Sequence, residues 1–163
     1  MDNATAIAAI LEAHSTLDPA TGCFIWQRST NPGGYGQMTI ARKVHRVHRV
    51  AWELAHGELP PAGLLIDHKC RNRLCVNVDH MHLVTKKQNG ENIVARRGTV
   101  SGVRGVYRCK TTGRWAVEVT HNQKKHWVGR FDTLGEAERA AIAKRNELFT
   151  NNLADRREWC RHG

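Results

Sequence analysis

Residues 66–92 read IDHKCRNRLCVNVDHMHLVTKKQNGEN, and this run decides the organisation of the first half of the chain. Cys70, Cys75 and His80 are separated by equal gaps of four residues. Thiolate and imidazole are soft or borderline ligands, and a closed structural zinc site takes four of them in a tetrahedron. Cys23, farther upstream, can complete the set; a buried core thiol is the other reading of that position. His68 precedes the first cysteine and is not needed as a ligand, which leaves it free to act as a base. Asn89 offers a carbonyl oxygen and Asp67 a carboxylate, hard donors that suit magnesium or manganese rather than zinc.

Upstream of this run, residues 4–14 place Ile7, Ile10, Leu11 and His14 on one helical face, with Asp2 or Asn3 as the polar cap. Asn31-Pro32-Gly33-Gly34 is a turn, and Gln37 to Val44 reads as a strand or hairpin carrying Arg42 and Lys43. Val47, Val50, Ala51 and Leu54 recur at helical spacing until Gly57 and Pro60-Pro61 stop the helix. The basic run from Arg42 to Arg49 is either a solvated face or a phosphate-binding one. Leu64 to Asp67 forms a short apolar strand that delivers His68. Thr85-x-x-Gln88 is a capping box that opens a helix carrying Asn89, with Gly98 as its expected end.

Taken together, residues 66–92 resemble the His-Me finger, or HNH, nucleases, and are most similar to the His-Cys box homing endonucleases and their phage relatives. The resemblance covers roughly residues 20–95. It implies an α+β fold with a zinc-braced ββα-metal nuclease domain. It also implies that His68 activates water, that Asn89 holds the catalytic divalent metal with Asp67 as a second ligand, and that Cys23, Cys70, Cys75 and His80 bind structural zinc. Related nucleases use an arginine near the leaving group, for which Arg49 is the candidate. The expected products carry 5′ phosphate and 3′ hydroxyl, and activity is expected to fall as pH drops through about 6 to 7, where a histidine base protonates. Val78 stands where the family often has proline.

Character changes at about Thr99. Gly105 to Cys109, Arg114 to His121 and Lys124 to Phe131 read as three strands, with turns at Thr112-Gly113 and Asn122-Gln123. Trp115, Val117 and Val119 alternate onto one face, so Ala116, Glu118 and Thr120 take the other. Thr133-x-x-Glu136 is a capping box before a helix whose apolar stripe is Leu134, Ala137, Ala140, Ala141 and Leu148. Residues 101–149 resemble the plant ethylene-response-factor (Apetala-type) DNA-binding domain, through Arg104-Gly105-Val106, Trp115-Ala116, Gly129-x-Phe131 and the alanine-rich helix. That resemblance implies a three-stranded antiparallel sheet packed on one helix, its strands in the major groove. Arg104, Tyr107, Glu118, Thr120, Lys125 and Trp127 fall at positions that contact DNA in that family. Charge alone adds Arg104, Arg108, Lys110, Arg114, Lys124, Lys125 and Arg130 as phosphate contacts.

The expected organisation is a nuclease domain over residues 1–98, a DNA-binding domain over 99–149 and a tail over 150–163. The formal net charge of +10 points to a polyanion, with double-stranded DNA the natural partner. A membrane surface is not expected, for want of an apolar span of about twenty residues or an amphipathic basic helix. No signal peptide is visible at the N-terminus, and five cysteines, an odd number, favour metal ligation over a disulfide framework. The expected location is the cytoplasm of a bacterial or phage-infected cell, at the nucleoid. A two-strand cut from one site per chain would be met most simply by a symmetric homodimer. The rival to the enzyme is a zinc-stabilised DNA-binding regulator without catalysis. Cys109, His121, His126 and Cys160 match no zinc spacing, and Trp159 is the candidate anchor of the tail.

Overall fold

The computed structural model describes residues 3–95 and 98–156, in two compact units that divide between Lys86 and Lys87. Asp2, Trp159 and Cys160 lie outside the described residues. The structure is α+β, built from small antiparallel sheets.

The first unit opens with helix α1 (Asn3–Ala13), which buries Leu11 and leaves Ile10 exposed. Strands β1 (Ser15–Asp18) and β2 (Cys23–Trp26) pair next, then β3 (Gln37–Ile40) with β4 (Lys43–Arg46). The β3–β4 turn is Ala41-Arg42, both at positive φ (47° and 64°), the left-handed pair that a two-residue hairpin needs to match strand twist. Helix α2 (Val47–His56) follows without a break, its first amide hydrogen-bonded to the Gly36 carbonyl at 3.0 Å. Gly36 allows that approach: a Cβ there would lie 2.5 Å from Val47 and 2.7 Å from Trp26. The apolar face of α2 is the one its spacing predicts, and Gly57 ends it in the left-handed conformation.

Leu11, Trp26, Met38, Val47, Val50, Ala51, Trp52 and Met81 form the core. Full burial of a large apolar side chain contributes roughly 1.5–3 kcal/mol each, so this small cluster is modest for a unit of this size. Strands β5 (Leu64–His68) and β6 (Met81–Thr85) complete the unit as an antiparallel pair with Asp67 opposite His82 and His68 opposite Met81. Residues 69–80 loop between them and carry three of the candidate ligands.

Helix α3 (Lys86–Glu91) is shorter than its sequence suggests, ending at Glu91 rather than near Gly98. The cause lies in who takes its last carbonyls. Arg104 Nη1 donates to the carbonyls of Glu91 (2.8 Å) and Ile93 (3.0 Å), acceptors that a continuing helix would use itself. The Glu91 carboxylate is meanwhile held by the Thr150 amide (2.7 Å) and hydroxyl (2.9 Å) and the Asn151 amide (3.1 Å).

The rest of the second unit is a three-stranded sheet, β7 (Val106–Arg108), β8 (Trp115–His121) and β9 (Lys124–Phe131) in that order, with helix α4 (Leu134–Leu148) against it. Thr133 and Glu136 form the expected capping box. Ala137 and Ala141 are wholly buried against Val106 and Val117, and their small side chains let α4 lie close. Ala116 is also buried, although it alternates to the opposite face; Tyr107 and Arg130 flank it across the ladder and shield a side chain that short. Gly105, at φ 81°, accepts the Glu118 amide at 2.9 Å, and a Cβ there would meet the Glu118 carbonyl oxygen at 2.8 Å. Only glycine fits that strand edge without strain.

Candidate active site

Cys23, Cys70, Cys75 and His80 converge, with their ligand atoms all within 4.8 Å of one another. Backbone pairing brings the distant cysteine in. Trp26 donates its amide to the Leu74 carbonyl (2.9 Å), Val76 to the Phe24 carbonyl (2.8 Å), and Asn77 Nδ2 to the Gly22 carbonyl (2.9 Å). The His80 Nδ1 lies 3.4 Å from Cys23 Sγ and 3.6 Å from Cys75 Sγ. A tetrahedron with Zn–S near 2.3 Å and Zn–N near 2.0–2.1 Å has an S···N edge of about 3.6 Å, so the donor set fits zinc in both chemistry and spacing. The thiols respond unequally to this crowding: the hydrogen bond from Cys75 leads in drawing Cys70 down to about 5, Cys75 is raised in exchange, and burial pushes Cys23 up.

His68, at the end of β5, is buried and turned into the loop, its Nε2 3.1 Å from the Cys75 carbonyl. A carbonyl accepts only, so Nε2 carries the proton and Nδ1 presents a lone pair in the neutral ring. Burial leads in holding the His68 pKa below the usual histidine value, against the opposing pull of Cys70, the Cys75 carbonyl and Asp67. Asp67 alternates to the other face of the strand, where its Oδ2 lies 3.3 Å from His82 Nε2. Arg49 is exposed on α2, and Asn89 is half-buried on α3.

In the second unit the register sorts the candidate DNA contacts by face. Tyr107, Ala116 and Arg130 form one row across the sheet, Glu118 and Trp127 the next, Thr120 and Lys125 the third, all opposite the α4 side. Tyr107 and Trp127 remain 49% and 51% exposed on this face. Arg130 stacks over Trp127 at 5.3 Å, and Lys125 pairs with Glu118 at 2.9 Å. Arg108 falls outside those rows and covers Trp115; Arg114 pairs with Asp132 at 2.6 Å.

Residues 45–91 match the model of the HNH endonuclease family, and residues 101–151 match the AP2 domain. Over 80 residues the chain is 32% identical to Protein 7.7 of Escherichia phage T7, covering 49% of this chain and 61% of that protein. It is 36% identical over 77 residues to Protein 2.8 of the same phage, covering 46% and 51%. With Protein 3.8 of that phage it shares 33% identity over 84 residues, covering 52% and 69%. The chain belongs to the HNH endonuclease family. It spans between about half and three-fifths of the length of the first two relatives. No solved structure matches it.

An HNH segment followed by an AP2 segment points to a nuclease module and a DNA-binding module in one chain, and the thiol-imidazole cluster to metal binding. Among the described residues no helix is long and apolar enough to cross a membrane. Within the AP2 segment Arg104 is turned inward, bonded to two backbone carbonyls and stacked 5.0 Å from the Phe149 ring. Cys109 and His121 do not form a metal cluster among the described residues; His121 Nε2 instead approaches Glu91 Oε1 at 3.2 Å.

Two residues of the HNH segment's surroundings carry more than the sequence suggests. His48, inside the basic run, is 4% exposed and its ring meets His68 edge-on at 5.1 Å. Tyr35 lies 5.4 Å from His48 and 6.5 Å from His68, with Arg46 and Arg73 over its ring at 5.2 and 5.3 Å. The only sequence signal was that Val47, Val50 and Ala51 share a face whose flank His48 occupies.

Proposed function

We propose that the chain is a magnesium-dependent DNA endonuclease of homing or phage type, with a ββα-metal nuclease domain over residues 1–98, an AP2-type reading domain over 99–149 and a tail over 150–163. The observation that carries this reading is His68 Nε2 anchored on the Cys75 carbonyl, which leaves Nδ1 of a buried, neutral imidazole as the acceptor for a proton. His68 takes that proton from a water in line with the scissile phosphorus, while the water oxygen bonds to phosphorus and the 3′ oxygen departs. The products carry 5′ phosphate and 3′ hydroxyl. Asn89 and Asp67 supply hard oxygen donors that match magnesium or manganese, and such an ion, when bound, neutralises charge at the phosphate. Cys23, Cys70, Cys75 and His80 would hold a zinc ion, which would brace the loop that aims His68.

Arg49 is the candidate phosphate contact beside the reaction. Double-stranded DNA is held by Tyr107, Glu118, Thr120, Lys125 and Trp127 on one sheet face, with Arg108, Lys110, Arg114, Lys124 and Arg130 adding phosphate contacts around it and a steep salt dependence. A nicking chain acts alone, a double-strand cutter as a homodimer. The nucleoid of a bacterial or phage-infected cell is the place of action.

Supercoiled plasmid with magnesium, treated with the native chain, His68→Ala and Asn89→Ala at matched zinc content, tests this reading. Nicked or linear DNA from the native chain alone is the expected result. Retained, salt-sensitive binding without cleavage in all three points to a zinc-stabilised regulator instead.

A further inference from the structure

His48 has a buried Nδ1 with no hydrogen-bond partner. A buried orphan nitrogen costs roughly 1–3 kcal/mol, and the usual resolution is an ordered water where the surroundings are polar. Packing alone does not explain a histidine here. Phenylalanine would satisfy the edge-on contact with His68 and the tilted contact with Tyr35, without a polar atom to desolvate.

Ring centroids 5.1 Å apart match the span of two imidazoles bridged by one water lying about 2.8–3.0 Å from a nitrogen of each. His68 Nε2 is committed to the Cys75 carbonyl, so its Nδ1 is the nitrogen left to face a water. Burial, assisted by His68, Arg46 and Arg49, pushes the pKa of His48 down to about 3, so its ring is neutral and offers a lone pair at any working pH.

We propose that His48 is a catalytic residue of the same site, one ring nitrogen accepting the second hydrogen of the water that His68 deprotonates. This rests on the nuclease reading for its consequence, though not for its geometry. With one O–H aimed at His68 and the other at His48, the oxygen lone pair is turned toward phosphorus. In the balanced step His68 gains the proton, the water oxygen bonds to phosphorus as the P–O3′ bond breaks, the departing 3′ oxygen takes a proton from solvent water, and His48 keeps its hydrogen count throughout. Arg46 and Arg73, stacked over Tyr35 beside both rings, give that side of the pair the positive potential a phosphodiester would meet.

His48→Phe in the zinc-loaded full chain preserves a ring of similar size and removes both nitrogens. Single-turnover cleavage is expected to slow by about 10²-fold, the scale of a misaligned attacking group, with zinc content, melting temperature and duplex affinity unchanged. Native turnover in His48→Phe overturns the proposal. A second measurement separates this idea from the nuclease reading. A crystal structure of the native zinc-loaded chain, at a resolution that shows waters, is expected to place one water within about 3.2 Å of both rings. A dry contact between the rings overturns the proposal even if the chain cleaves DNA, whereas the bridging water in a chain that never cleaves rejects the nuclease reading and leaves the hydrogen-bond geometry standing.

Discussion

His68 and Cys75 are joined by a 3.1 Å hydrogen bond from the imidazole Nε2 to the cysteine's own carbonyl oxygen. The candidate base and a candidate zinc ligand are therefore one mechanical unit: whatever moves the Cys75 backbone turns the His68 ring. A zinc ion held by Cys75 would act on the chemistry through orientation alone.

Stripping the zinc is the direct check. Treatment with a strong chelator, or Cys75→Ser, is expected to remove the metal and lower the melting temperature by roughly 10 °C or more, since a loss of even about 2 kcal/mol shifts a unit of this size by that much. Cleavage should be lost with the metal and return on adding zinc back. Full activity in a metal-free chain refolded with magnesium alone would contradict the link.

The pH profile follows from burial of the base. A histidine must be neutral to accept a proton, and burial lowers the His68 pKa, so protonation sets in only below the ordinary value near 6.5. The acid limb of single-turnover cleavage is therefore expected below the 6-to-7 range that an unperturbed histidine gives. A rate already falling between pH 8 and 7 would point to a different group.

Arg104 and Trp127 should separate stability from recognition. Arg104→Ala frees the carbonyls of Glu91 and Ile93 and is expected to cost about 1–3 kcal/mol in unfolding. Trp127→Ala removes a half-exposed ring and should leave stability within about 0.5 kcal/mol while weakening duplex binding several-fold. Equilibrium denaturation and a DNA titration on both variants would show a crossed pattern. A larger affinity loss in Arg104→Ala at unchanged stability would place that arginine among the DNA contacts.

Glu91 links acid stability to the end of α3. Burial would raise its pKa, but the hydrogen bonds from Asn151 and Thr150 outweigh it and hold the carboxyl below its usual range. The sign then runs one way. The contribution is complete above the unfolded carboxylate value near 4.3 and is lost as pH falls through the depressed folded one. Glu91→Gln should be less stable than the native chain at pH 7 and lose less on acidification to pH 3, as melting curves at the two pH values would record. Parallel curves for both chains would remove Glu91 from the acid transition.

Much of this arrangement is legible in the residues because it is written in local rules. The α2 stripe with Gly57 behind it, the Thr133–Glu136 box and the turn at Asn122-Gln123 each require only neighbours in sequence. The β1 and β2 strands themselves have no such signature: they are four residues long, and Leu17 and Phe24 face outward at 51% and 43% exposure, so alternation gives the wrong side. The end of α3 depends on Arg104, thirteen residues beyond Glu91, and no helix-stop residue announces it. His48 was hidden by its company. Among four cations and three other residues its ring reads as one more polar group, and only the fold turns it against His68.

Cys23 and Cys70 stand 47 positions apart (70 − 23), and a metal shared between them ties that length of chain into a ring. In polymer terms a cross-link of this span removes freedom from the unfolded chain worth about 4 kcal/mol at room temperature. The set of four ligands is complete only once His80 has been made, so a metal would order the segment from Cys23 to His80 only after the whole of it has been synthesised. With the metal bound there, its supply would set when, as well as whether, this part of the protein becomes rigid.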